Sequence, residues 1–208
     1  MTLKLNGSSS GYTAIDAPAA AGSNTLTLPA NNGSAGQVLK TDGNGNLAWV
    51  TPGIAIADRW RMSSNSTAGS EMVITAWERN DSSNAKAGFL GTGLGMVNGI
   101  FTFPSTGIWY ISFHGIVRIG SAQDLQAVVE LKVTEDGGSG WANGALCMYG
   151  EAADDTRTSI SMDYLIDVDN VSNVKVKIET DSFSANTYLV GDTDDDHTTI
   201  TFIRLGDT

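Results

Sequence analysis

Gly99-Ile100-Phe101-Thr102-Phe103-Pro104-Ser105-Thr106-Gly107-Ile108-Trp109-Tyr110-Ile111-Ser112-Phe113-His114-Gly115-Ile116-Val117 is the stretch whose reading decides the fold. Phe101 and Phe103 alternate with Thr102, the period of a strand with one wet face. Pro104 and Gly107 then punctuate the chain as a turn. Ile108 to Val117 is nearly all apolar or β-branched, is too short to span a bilayer, and reads as a strand from the core of a β-sandwich. Phe101, Phe103, Trp109, Tyr110 and Phe113 are therefore the expected core or chain-to-chain contact residues, and His114 is expected to be packed among them.

Outward from this stretch the same period recurs. Arg59-Trp60-Arg61-Met62 begins the series after Asp58, and Glu71 to Arg79 reads as one strand with Met72, Ile74 and Ala76 on one side. Leu125 to Val133 ends at the turn Glu135-Asp136-Gly137-Gly138. Ile160, Met162, Tyr164, Ile166 and Val168 alternate with polar positions, as do Val174, Val176 and Ile178, and Thr198 to Leu205 is β-rich. The composition agrees: 24 Gly among 208 residues, 4 Pro, and frequent Ser, Thr, Asn and Asp suit short strands joined by tight turns. The expected fold is all-β, an antiparallel jelly-roll sandwich over residues 57–208 carrying an extended, β-rich arm over residues 1–56.

The Gly99–His114 string resembles the signature of the complement one-q / tumour-necrosis-factor-like jelly roll: Gly-x-Phe, then Pro, then Gly-x-aromatic-aromatic, ending in an aromatic-His pair. That resemblance covers about two-thirds of residues 57–208 and implies a jelly roll of ten strands that assembles as a tight trimer. The chain departs from it at Phe202, where the family usually has a small residue.

The arm is of a different character. Met1 to Leu5 alternates like a short strand, Gly7 to Gly11 is a turn, Thr25 to Pro29 is strand-like, and Asp42-Gly43-Asn44-Gly45-Asn46 is a hairpin turn that returns through Leu47-Ala48-Trp49-Val50. Its strands hold few large apolar residues, too few to offset the entropy of ordering a free-standing domain. Leu26, Leu28, Val38, Leu39 and Trp49 are accordingly the residues expected to attach it to something else. Ala17-Pro18-Ala19-Ala20-Ala21-Gly22-Ser23-Asn24-Thr25-Leu26-Thr27-Leu28-Pro29 and Gly33 to Trp49 resemble a segment of tail-fibre and other structural proteins of marine and cyanobacterial phages. The resemblance covers about a quarter of the chain and implies a virion component.

Charge and motif content narrow the function classes. A formal net charge of −11 supplies no basic groove for nucleic acid and no attraction to anionic membrane. One cysteine, Cys147, rules out a disulfide framework and points to folding in a reducing cytoplasm. Residues 1–12 lack the basic start and apolar core of a signal peptide. Neither histidine, His114 or His197, accompanies a nucleophile elbow, so no catalytic residue is expected. Gly91-Thr92-Gly93-Leu94-Gly95 lacks the Lys and helix of a phosphate loop and reads as a turn. Asp154-Asp155 and Asp194-Asp195 are paired carboxylates of an acidic chain rather than glycosidase pairs. Asp192 to Asp196 could crowd oxygens around calcium, but the EF-hand positions for Gly and Glu hold His197 and Ile203, and a solvated loop is the reading kept. No cofactor and no metal site are expected.

The expectation is a structural, non-enzymatic protein at the virion surface, made in the host bacterial cytoplasm: a trimeric short tail fibre or knob attached through its arm. A capsid decoration or cement protein is the alternative, favoured by the short chain. A polysaccharide-degrading enzyme is a distant third. The partners implied are the chain itself as a homotrimer, a tail or major capsid protein, and a host surface glycan or protein, with neither nucleic acid nor membrane insertion.

Overall fold

The computed structural model describes residues 3–67, 69, 71–79, 88–120, 124–151 and 155–208. Met1 and Thr2 of the expected first strand, and Asp154 of the Asp154-Asp155 pair, lie outside them. Among the described residues there is no helix. The chain divides into two units, Met1–Gly53 and Ile54–Thr208.

The first unit consists of two hairpins. β1 (Leu3–Asn6) pairs with β2 (Tyr12–Ile15), and β3 (Val38–Thr41) with β4 (Leu47–Val50). The turn between β3 and β4 is held by Asp42, whose Oδ1 accepts from the amides of Asn44 (2.8 Å) and Asn46 (3.1 Å) and whose Oδ2 accepts from Asn46 Nδ2 (2.7 Å). Thr27 adds to this hairpin: its amide donates to Gly45 O (2.8 Å) and its carbonyl accepts from Leu47 N (2.9 Å). Gly45 has φ +91° and a Cβ there would lie 2.3 Å from Thr25 O, so only glycine admits the approach.

In the second unit the alternation of Trp109, Ile111, Phe113 and Val117 decides which way the long central strand faces. Two six-stranded antiparallel sheets pack face to face. The first contains β5 (Ala57–Met62), β7 (Trp77–Arg79), β10 (Gly107–Ile119), β13 (Thr156–Val168), β15 (Thr187–Leu189) and β16 (Thr199–Gly206), in the order β13-β10-β16-β5-β7, with β15 also paired to β10. The second contains β6 (Met72–Val73), β8 (Gly95–Val97), β9 (Ile100–Thr102), β11 (Asp124–Thr134), β12 (Ala142–Glu151) and β14 (Lys175–Asp181), in the order β12-β11-β14-β9-β8, with β6 paired to β14. The all-β jelly-roll expectation holds. Between the sheets Phe101 is packed edge-on to Trp60 (centroids 5.6 Å) and Trp77 (5.8 Å) and tilted on Phe202 (5.0 Å), while Phe103 meets Trp109 at 5.1 Å. Phe202, the departure from the family pattern, thus fills the centre of the core.

Several expectations change. Glu71–Arg79 is not one strand: β6 joins the second sheet and β7 the first, because Ile74 and Trp77 both turn into the core and three residues apart they cannot share a face of one strand. Gly95 belongs to β8 rather than to a turn. β12 was not expected; its small, partly exposed residues carry a weak strand pattern. His114 is exposed, because Trp109, Ile111 and Phe113 point inward and the intervening positions must point out. For the same reason Ile108 to Val117 is a strand with two different faces and not buried all round.

Two polar devices hold the sandwich. Asp58, fully buried, accepts from Arg79 Nε (3.1 Å), Arg79 Nη2 (2.8 Å) and the Leu94 amide (2.7 Å), and the guanidinium lies over the Trp60 ring at 4.3 Å. At the β11–β12 turn Asp136 Oδ1 accepts from Thr134 Oγ1 (2.7 Å) and from the amides of Gly140 (3.0 Å) and Ser139 (2.9 Å). The Thr134 hydroxyl first, then these amides, lower its carboxyl to about 2.

Candidate assembly surface

Because β10 alternates, one side of the first sheet is core and the other is open in the single chain. Ladder register places the outward residues in rows. Leu165, Tyr110, Ile203 and Ala57 form one row across β13, β10, β16 and β5. Asp163, Ser112, Thr201 and Arg59 form the next, and Ser161, His114, Thr199 and Arg61 the one after. The first row is apolar, with Leu165 58% exposed, and the following two mix the hydroxyl side chains of Ser112, Thr201, Ser161 and Thr199 with Asp163, Arg59, His114 and the buried Arg61. The apolar row carries no charged side chain although the chain has a net charge of −11, and charge depletion at the centre of a patch is what distinguishes interface cores.

Of the five aromatic candidates, Phe101, Phe103, Trp109 and Phe113 are buried between the sheets. Tyr110 alone is on the outward face, half-buried beside Leu165 and Ile203. Leu165 and Ile203 were missed in the sequence, although the inward phase of Ile166 and Phe202 would have marked both.

The Asp192–Asp196 loop borders this face. Asp196 pairs with Arg59 (3.2 Å) and lies 3.9 Å from the Nη1 of Arg61, whose buried guanidinium also holds Glu78 Oε1 through Nε (3.0 Å). Asp192 Oδ1 accepts from the Asp194 amide (2.7 Å), and that bond first of all holds its carboxyl below the usual range. Basic side chains and backbone amides therefore screen these carboxylates. Among the described residues no group of three or more His, Cys, Asp or Glu is placed to share an ion. The two asparagine substitutions thus separate. Asp194→Asn is expected to leave the melting temperature unchanged or slightly raised, whereas Asp196→Asn loses its arginine partners and should cost about 1 kcal/mol by urea titration.

Cys147 on β12 donates weakly to Val129 O (3.8 Å), and burial pushes its thiol up to about 11. The thiolate that nucleophilic or redox chemistry requires is thereby suppressed at neutral pH.

In the first unit the attachment candidates Leu26, Leu28, Val38 and Leu39 are exposed, and so are Leu3, Leu5, Tyr12 and Ile15 on the other hairpin. Trp49 is half-buried, its indole N–H donating to Asn31 O (2.9 Å) and its ring lying on Gly33, where a Cβ would come within 2.7 Å.

No family model and no curated protein matches the sequence. Solved structures do match the fold. Eiger TNF from S. frugiperda aligns with a TM-score of 0.57 at 10% identity, over 75% of this chain and 96% of that one. Murine APRIL aligns with a TM-score of 0.50 at 12% identity in its pH 8.5 crystal structure and 0.50 at 14% in its pH 5.0 structure, each over 72% of this chain and 98% of that one. The second unit is thus a TNF-like jelly roll.

Proposed function

We propose that the chain is a structural component of a bacteriophage particle: a homotrimeric surface protein of the short tail-fibre or knob kind, attached through its N-terminal arm, whose jelly roll meets the host surface. The observation that carries this reading is the contrast between the two units. The jelly roll has a complete core, while the arm leaves Leu3, Leu5, Tyr12, Ile15, Leu26, Leu28, Val38 and Leu39 in solvent. Short hairpins with unpaired edges and exposed apolar side chains suit completion by another sheet through main-chain pairing. The phage-like sequence of the arm supports a virion protein as that partner. Trimer formation rests on the apolar row of the first sheet's outward face and on the jelly-roll resemblance. A capsid decoration protein would use the same two parts.

Deleting residues 2–50 is expected to release the protein from purified particles while the remaining jelly roll stays soluble and folded. Continued co-sedimentation of the truncated protein with particles would overturn the role given to the arm. Labelling the wild-type protein in electron micrographs separates tail from capsid.

A further inference from the structure

The β11–β12 ladder contains an arrangement that neither trimer formation nor attachment requires. Pairing runs Leu131↔Ala145 and then Lys132↔Asn143, so Gly144 is an extra residue bulged out of β12. A side chain there would not fit: a Cβ would lie 2.9 Å from Val133 Cγ2 and 3.1 Å from both Leu131 Cδ2 and Tyr164 Cζ. Bulges re-aim the side chains beside them. Here the result is a closed triangle. Lys132 Nζ meets Asn143 Oδ1 at 2.5 Å, Asn143 Nδ2 donates to Glu130 Oε1 at 2.7 Å, and Glu130 Oε2 meets Lys132 Nζ at 2.6 Å. One carboxylate thus touches both an amine and the amide nitrogen beside it.

The surroundings favour reaction over simple solvation. The side chains of Lys132 and Glu130 are only 18% and 11% exposed. Lys177 and Glu179 neighbour them and pair with each other, so the four charges balance, and Glu179 Oε2 is 3.9 Å from Lys132. A proton moving along the Lys132–Glu130 contact turns a poorly solvated ion pair into a neutral amine and a neutral acid, the forms that nucleophilic attack and leaving-group protonation need.

We propose that Lys132 and Asn143 form an intramolecular isopeptide bond, with Glu130 as the catalytic proton carrier. The Lys132 Nζ lone pair attacks Asn143 Cγ, and a carbon–nitrogen bond forms. Glu130 carries two protons in turn: the first, whose removal frees the lone pair, goes to Nδ2, and the second, lost from Nζ after the attack, leaves with the departing ammonia as ammonium. The Cγ–Nδ2 bond breaks and ammonia leaves. No electrons are exchanged with any other reagent, and Glu130 ends in its starting state. Holding amine and carboxamide in contact replaces a bimolecular collision, which is where such a reaction gains most of its rate. The product would tie two neighbouring strands covalently at the base of the β11–β12 turn.

Asn143-Gly144 offers a second route to loss of ammonia, closure of a succinimide by the Gly144 nitrogen. The two differ in their need for Lys132, and the experiment uses that difference. The purified full-length chain is measured by intact mass and peptide mapping, alongside Lys132→Arg and Glu130→Gln, with circular dichroism to establish that each is folded. The wild type is expected to be lighter than its sequence by one ammonia, about 17 Da, and to yield a branched peptide joining Lys132 to Asn143, with both variants at full mass. A folded wild type at full mass overturns the proposal. So does the same loss persisting in Lys132→Arg, which would identify the succinimide. A branched peptide in Glu130→Gln would remove Glu130 from the reaction.

Discussion

Asp58→Ala is expected to lower the stability of the jelly roll by about 2–3 kcal/mol, because a buried amide left without its acceptor costs about 1–3 kcal/mol and Arg79, one-third exposed, recovers from water only part of the counter-charge it loses. The carboxylate is fully buried and accepts four hydrogen bonds, three from Arg79, whose Nε reaches both oxygens, and one from the Leu94 amide. Without it the amide of Leu94 loses its acceptor in the interior. Arg79 keeps the Leu94 carbonyl (2.7 Å) and its place over the Trp60 and Phe89 rings, but loses its counter-charge. The loss is a large part of the roughly 5–15 kcal/mol that ordinarily separates folded from unfolded domains. Asp58→Asn keeps the shape and the Leu94 bond and should fall between the two. Urea titration of both variants is the measurement. A loss below about 1 kcal/mol for the alanine variant would mean that Arg79 and Leu94 find other partners at little cost.

The second large effect concerns assembly. The wild-type chain is expected to sediment as a species of three times its 21.8 kDa mass. Tyr110→Glu combined with Leu165→Glu should yield monomer with an unchanged circular dichroism spectrum. Both side chains face outward on β10 and β13, directly opposite each other in the ladder, so the substitutions leave the core intact. In a three-fold assembly through this face, each new carboxylate would be repeated on every protomer and buried beside its copies, and an unpaired buried charge is strongly unfavourable. Wild-type protein that sediments only as monomer at micromolar concentration would remove the outward face from any role in self-association. A double variant that remains trimeric would place the contact elsewhere.

Much of the sandwich could be read from the sequence because period two is a direct imprint of a sheet with unlike faces. Ile160, Met162, Ile166 and Val168 show it in β13, and Val176 and Ile178 in β14. The Glu71–Arg79 segment misled because Met72, Ile74 and Ala76 keep a strand's phase while Trp77 breaks it, and the break marks the passage from one sheet to the other. β10 misled in the opposite way. Its outward positions hold Ile108, Tyr110 and Ile116, hydrophobic enough to hide the alternation, and His114 was drawn inward with them. The assembly row needed information that no single segment holds, since Tyr110, Leu165, Ile203 and Ala57 come together only once the order of four strands is known. The Glu130–Lys132–Asn143 triangle depends on a one-residue bulge, and although Gly144 is the kind of residue that marks one, it does not tell which side chains of the neighbouring strand the bulge brings together. Arg79 and Asp58 were similarly invisible as a pair, being 21 residues apart on different strands.

β16 lies in the middle of the first sheet, with β10 on one side and β5 on the other. During synthesis, both of those strands leave the ribosome with an open edge facing the gap that residues 199–206 will fill. Until that segment arrives the sheet exists only as separated pieces, each presenting unpaired amides and carbonyls to every other nascent copy nearby. Contacts spanning so much of the chain slow folding, because the entropy of closing the long loop is lost before the new pairing can compensate. The acidic character of the chain has a use at this stage, since mutual repulsion keeps half-made copies apart while their central strand is still missing.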